Sequence, residues 1–223
     1  MLQMKKKFLL AEGSGALFLL LLIMVKTVDV RAIGPNGTVV GLSGVNRAVH
    51  DCFGVHMIWY YVTDWLGIAA IMVAVVFAVF GLLQFIRRKS IFKVDSEILL
   101  LGGLYLLTIG LYVLFELITV NYRPIIMPGA AFPEASFPSS HTLMVCVIMG
   151  GAMPLLKKYV TNRKLQAGFR VTCILLIAIT VIGRIISGVH WLTDVAAGVL
   201  LSVSLVSLYS GVLEKIQRCR KGA

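Results

Sequence analysis

A chain of 223 residues that is 59% hydrophobic, with a mean hydropathy of +0.93, is too apolar for a water-soluble globular domain and has the make-up of a polytopic membrane protein. Its formal net charge of +11 would suit a nucleic-acid partner. Nothing outside the apolar runs pairs a basic groove with stacking aromatics, however, so that class is set aside.

Apolar runs long enough to cross about 30 Å of hydrocarbon lie near 8–25, 66–86, 98–120, 138–156, 168–187 and 191–213. They are continuous rather than alternating in polarity, which argues against a β-barrel. The predicted fold is therefore all-α: one domain, residues 1–223, of six transmembrane helices with a short external interfacial helix. The first run follows Lys5 to Lys7, a pattern shared with secretory signal peptides. It continues without a convincing small-residue cleavage site, so we read it as a span.

Residues 26–65 form the longest connection. Ile33-Gly34-Pro35-Asn36-Gly37 is turn chemistry. After Ser43, read as an N-cap, Val45, Val49, Cys52, Phe53 and His56 fall on one helical stripe, which predicts a short helix in the interface. Trp59, Tyr60, Tyr61 and Trp65 then make an aromatic belt at the outer boundary. Further along, Gly102-Gly103, Gly150-Gly151-Ala152 and Ala196-Ala197-Gly198 are small enough to permit close helix contacts.

The basic residues set the orientation. Lys5 to Lys7, Arg87 to Lys89 with Lys93, Lys157 to Arg170 and Lys215 to Lys221 hold 16 of the 21 lysines and arginines, and six alternating spans put all four groups on one side. By the positive-inside rule that side is cytoplasmic, with both termini, and the expected location is the plasma membrane. The excess charge then reports topology and contact with anionic lipid. Of the four cysteines, Cys146 and Cys173 lie in apolar runs and Cys52 and Cys219 on opposite sides, so no disulfide framework or metal site is expected.

With an inside N-terminus, five polar residues arrive at the external interface from distant segments. Arg123 follows the third span, His141 opens the fourth, Arg184 ends the fifth, and His190 with Asp194 opens the sixth. Charged groups gathered at one depth beside lipid favour a functional explanation. The i to i+4 spacing of His190 and Asp194 predicts one helix face, where the carboxylate fixes the tautomer and frees the other ring nitrogen as a nucleophile. A bare pair of this kind also serves as a cap at a helix start. Arginine suits phosphate because its planar fork donates two hydrogen bonds and stays charged, although a lone Arg184 could snorkel and a lone Arg123 could be a loop charge. Pro138-Ser139-Ser140-His141 reads as a helix start, whose N–H groups favour an anion, with His141 able to donate a proton. Serine hydrolysis is disfavoured: Ser140 and His141 are adjacent and no Gly-x-Ser-x-Gly elbow is present.

The ordered set Arg123-Pro124, Pro138-Ser139-Ser140-His141 and Arg184-x5-His190-x3-Asp194 resembles the three-part signature of the type 2 phosphatidic acid phosphatase family, which shares its site with vanadium haloperoxidases. The motifs span Glu116 to Asp194, and the six-span layout extends the likeness to nearly the whole chain. The resemblance implies that His190 attacks phosphorus to give a phosphohistidine and that Asp194 orients it. His141 would protonate the leaving oxygen and then activate water, while Arg123, Arg184, Ser139 and the backbone around Ser140 hold the phosphoryl oxygens. It implies no metal or cofactor. The substrate expected is a lipid phosphate: a polyprenyl diphosphate such as undecaprenyl diphosphate, or phosphatidate or phosphatidylglycerophosphate. Two other readings use the same residues, namely phosphoryl transfer to a lipid or sugar acceptor and a non-catalytic lipid-phosphate binder or transporter.

Three positions depart from that pattern. Glu116 stands where the family usually has a lysine seven residues before the arginine, Gly183 stands where serine commonly precedes the second arginine, and Ser140 replaces a glycine. The change at Glu116 makes it a candidate specificity residue. A carboxylate there repels substrate, pairs with Arg123, stays protonated near the bilayer, or faces away.

Overall fold

The computed structural model describes residues 2–222, and six of its helices are long and apolar enough to cross a membrane. In chain order these are α1 (Leu2–Thr27), α3 (Met57–Arg88), α4 (Ser96–Leu117), α5 (Ser140–Tyr159), α6 (Arg163–Ile186) and α7 (Leu192–Gly222), with a short α2 (Ser43–Phe53) between the first two. The six spans and the extra helix are those expected from hydropathy, but α3 starts nine residues before the apolar run at 66. Its first turns carry the belt Trp59, Tyr60, Tyr61 and Trp65 together with Thr63 and Asp64. Helical hydrogen bonding continues there although polarity rises, and a hydropathy scan registers only the polarity.

α5 is the central helix. Almost every residue from Thr142 to Ala152 is buried, whereas α1, α3, α4 and α6 leave most of their surface outward as Leu, Ile, Val and Phe. In hydrocarbon those outward side chains need no protein partner, and the helices associate through close packing at small residues. Thus Gly150 faces Val206 of α7, Gly151 faces Leu101 and Leu104 of α4, and Gly198 sits against the Ser139 carbonyl and Thr142. Gly102 and Gly103 do not follow the expectation, since open space lies over both. α1 lies along α7, with the Ser204 hydroxyl donating to the Ala11 carbonyl at 2.8 Å.

α2 forms where a short helix was predicted, with a polar buried side. Asn46 and Ser43 are its buried side, with the Asn46 side chain donating to Thr193 Oγ1 at 3.0 Å and accepting from Thr193 N–H at 3.1 Å, while Val45 and Phe53 point outward. The apolar stripe therefore faces away from the protein, an arrangement suited to an interface whose apolar side is lipid. Ser43 is the first helical residue rather than the cap. Asp29 accepts from the Gly44 N–H at 2.7 Å instead, and this bond holds its carboxyl below the usual range.

The two ends of the bundle differ. At one, Asp95 receives Arg88 Nη1 at 2.9 Å, Lys158 Nζ at 3.0 Å and the Tyr159 hydroxyl at 2.9 Å, and Lys158 also reaches Glu97 at 2.9 Å. Burial would raise the Asp95 carboxyl, but these donors hold it well below its ordinary value. All four basic groups of the sequence belong to this end. The other end holds α2, the 118–139 connection and the turn between α6 and α7, and there the polar set assembles.

Candidate active site

Arg184 comes from the last turn of α6 and is completely buried. One of its donors, Nη2, is given to the Asp64 carboxylate of α3, and its guanidinium lies 5.0 Å over the Tyr60 ring. Its Nε and Nη1 are buried without a partner. Two unanswered donors on a buried cation are costly unless an acceptor arrives, and a phosphoryl group supplies several oxygens.

His190 is not on a helix face, as the spacing predicted, but in the turn of residues 187–191 that precedes α7. The turn needs Gly188, whose φ of 67° is left-handed and whose missing side chain admits the Gly54 carbonyl. It is pinned by His56 N–H to the Ser187 carbonyl at 3.1 Å and by Trp191 Nε1 to the Tyr122 carbonyl at 2.8 Å. His190 is buried, and its Nε2 faces Arg123 Nη1 at 3.4 Å. Burial first, then the nearby Arg123 and Arg184 charges, hold the His190 imidazole well below its ordinary value. Its neutral, nucleophilic form is therefore favoured.

Asp194 caps the start of α7 and lies beside His190. Its Oδ2 accepts the Trp191 N–H at 3.0 Å, the reach-back half of a capping box at the start of α7, and lies 3.8 Å from His190 Nδ1. That separation is too long for a hydrogen bond. Asn121 Nδ2 donates to the other carboxylate oxygen at 3.3 Å and steadies it.

His141 stands in the first turn of α5, with Nε2 3.0 Å from Asp64 Oδ1 and Nδ1 buried without a partner. α3 comes this close because two glycines make room. A side chain at Gly67 would press on the His141 ring, and one at Gly183 would run into Thr63 and Trp59. The glycine at 183, a departure noted in the sequence, is thus required by the approach of the Asp64-bearing helix.

Arg123 is carried by an extended stretch paired at Tyr122 with Ala135, its own N–H bonded to the Glu134 carbonyl at 2.9 Å. Its Nε lies 3.0 Å from Glu134 Oε2, close enough for an ion pair but outside hydrogen-bond geometry. Among the described residues the carboxylate partner of Arg123 is Glu134, not Glu116. Glu116, in the last turn of α4, lines a small cavity with Tyr112, Ser136, Ser140 and His190. Ser140 opens on that cavity. Ser139 is turned inward: its N–H bonds the Asp194 carbonyl at 2.9 Å and its hydroxyl accepts from Thr142 at 3.1 Å, so it braces α5 against α7.

The fold therefore gathers Arg123, His141, Arg184, His190 and Asp194 at one end, with Ser140 and Glu116 at the rim and Ser139 behind. Sequence reasoning missed Asp64, Tyr60 as the ring under Arg184, Glu134 and Asn121. Asp64 did carry a signal, as the single acidic residue within α3, but the hydropathy boundary at 66 left it among loop residues. Among the described residues no three His, Cys, Asp or Glu side chains gather as a metal-binding group.

Comparison with known proteins places these residues in context. The PAP2 superfamily matches residues 117–218, the stretch that holds every one of the five converging residues. A transmembrane PAP2 type phosphatidylglycerolphosphate phosphatase from Bacillus subtilis has the same fold, with a TM-score of 0.62 and 23% identity over 93% of this chain and 97% of that one. No curated protein matches the chain.

Proposed function

We propose, from the match of the PAP2 superfamily to residues 117–218 together with the geometry of the site, that the chain is a lipid phosphate or diphosphate phosphatase. The observation that carries the reading is Arg184: a buried guanidinium with two unanswered donors, at the end of the bundle where Arg123 faces His190 Nε2. Such a place favours a multiply charged anion with an electrophilic centre, and phosphorus meets that description.

In the proposed reaction the Nε2 lone pair of neutral His190 forms a bond to phosphorus as the bond to the leaving oxygen breaks. Protonated His141 gives its proton to that oxygen, which departs as a lipid alcohol or, from a diphosphate, as a lipid monophosphate. The resulting phosphohistidine is cleaved by water, whose proton returns to His141, and inorganic phosphate leaves. Arg123 and Arg184 stabilise the equatorial oxygens, and Asp194 balances the charge that develops on His190. Every step uses side chains of this chain, and the scheme calls for no metal.

A lipid substrate is supported by an apolar cavity of about 240 Å³ beside His141, lined by Thr108, Ile109 and Tyr112 of α4 and Leu143 and Met144 of α5. It offers the first segment of a lipid tail a place next to the group that protonates the leaving oxygen. We rank a polyprenyl diphosphate such as undecaprenyl diphosphate first, with phosphatidate and phosphatidylglycerophosphate as the competing head groups. The basic end of the bundle favours cytoplasmic termini and a site at the external face of the plasma membrane.

The test is phosphate release by the purified protein from a panel of lipid phosphates, with His190→Ala as the control and chelator and orthovanadate as additional arms. We expect release that survives chelation, is inhibited by vanadate and is absent in His190→Ala. Undiminished release by His190→Ala would overturn the assignment of the nucleophile.

A further inference from the structure

Asp64 lies outside the family motifs, yet a single one of its oxygens, Oδ1, touches both Arg184 Nη2 and His141 Nε2, the latter at 3.0 Å. An anionic oxygen between an arginine donor and a histidine nitrogen is also what a bound phosphoryl group places there in the function proposed above, on which this inference rests. We propose that Asp64 is a built-in anion standing in the phosphate subsite of the ligand-free protein, so that substrate binds by exchange, its phosphate taking Arg184 and His141 as the carboxylate is displaced.

Two features favour exchange over a fixed counter-ion. Asp64 answers one donor of Arg184 and leaves Nε and Nη1 without a protein partner, so the carboxylate satisfies the guanidinium only in part. Its side chain is 31% exposed whereas Arg184 is fully buried, so the carboxylate has somewhere to go and the arginine does not. The close approach of α3 depends on the absence of side chains at Gly67 and Gly183, so the carboxylate is placed there by the local sequence of two helices.

The exchange has a consequence for selectivity. A terminal phosphate carries about −1.5 to −2 charges at neutral pH and competes well with a carboxylate for a guanidinium. A phosphodiester lipid carries one charge and does not. Asp64 would thereby keep the abundant phosphodiesters of the bilayer out of a site that opens onto them, at the cost of weaker binding for every phosphate.

The experiment compares wild type, Asp64→Asn and Asp64→Glu in detergent micelles, using inorganic phosphate and phosphatidylglycerol as inhibitors of phosphate release and as stabilisers in thermal melts. Asp64→Asn should bind inorganic phosphate at least about tenfold more tightly and gain more melting temperature from it than the wild type, whatever its turnover. Asp64→Glu, which keeps the charge, should stay within about threefold of the wild type. Phosphatidylglycerol should inhibit or stabilise Asp64→Asn and leave the wild type unaffected. An unchanged or weakened phosphate affinity in Asp64→Asn overturns the exchange, and an equal response of the two proteins to phosphatidylglycerol overturns the selectivity. Wild-type release that is abolished by His190→Ala upholds the phosphatase reading independently. Failure of wild type and Asp64→Asn alike to bind phosphate overturns the exchange and leaves the phosphatase reading to the release assay.

Discussion

Arg184→Lys isolates what the guanidinium contributes beyond its charge. Lysine keeps the positive charge that balances Asp64, so the substitution removes the planar set of donors and the flat face lying 5.0 Å over Tyr60. In the native site Nε and Nη1 are buried and unpartnered, so both are available to phosphoryl oxygens. A hydrogen bond to a charged group is worth about 1.5–3 kcal/mol, and losing two of them costs at least about 3 kcal/mol in the transition state. At 1.36 kcal/mol per tenfold, kcat/KM should fall by about a hundredfold or more. Most of the loss should appear in kcat, because charge spreads onto the equatorial oxygens as the phosphoryl group transfers. The assay is initial-rate phosphate release from a lipid phosphate in mixed micelles, with thermal melting to confirm that the variant folds. A folded Arg184→Lys protein whose kcat/KM stays within threefold of the wild type would refute the assignment of Arg184 to the phosphoryl oxygens.

Three further outcomes are expected. His141→Ala should slow turnover by about a hundredfold or more while still accumulating a covalent phosphoenzyme from a substrate with a good leaving group, whereas His190→Ala should form none; phosphoenzyme trapped in His190→Ala would exchange the roles. Because burial and the two arginines depress the His190 imidazole, its neutral form persists as pH falls through about 6.5, and the acid limb that this group imposes on kcat/KM should lie below that value. The same depression lets the unfolded chain take up the proton first, so stability should fall as pH drops below about 6.5; a nucleophile limb centred there would contradict the burial argument. Asp95→Asn should destabilise the protein at pH 7, by on the order of 1–3 kcal/mol and seen as a lower melting temperature, without changing kcat/KM. Asp95 is depressed, so its contribution is present above about pH 4 and is lost as pH falls through its folded value, and the gap between wild type and variant should close on acidification.

Hydropathy alone determined the six spans, because each backbone group in a bilayer must be satisfied within its own helix and only long apolar runs meet that demand. The order of Arg123, His141, Arg184, His190 and Asp194 along the chain was also enough to gather them at one end, since helices that alternate in direction bring their matching ends together. What depended on packing across sequence distance was not legible. Nothing in the spacing of Ser139 shows that its N–H and hydroxyl are spent on Asp194 and Thr142, or that Arg123 takes Glu134 as its partner rather than Glu116. The i to i+4 rule misplaced His190 because α7 starts at Leu192, and a turn held by Gly188 and Trp191 sets the ring instead. Asp64 shows the difference most plainly. Its sequence neighbours are the aromatic residues of the belt, and only the approach of α3 to α5 and α6, permitted by Gly67 and Gly183, brings its carboxylate between Arg184 and His141.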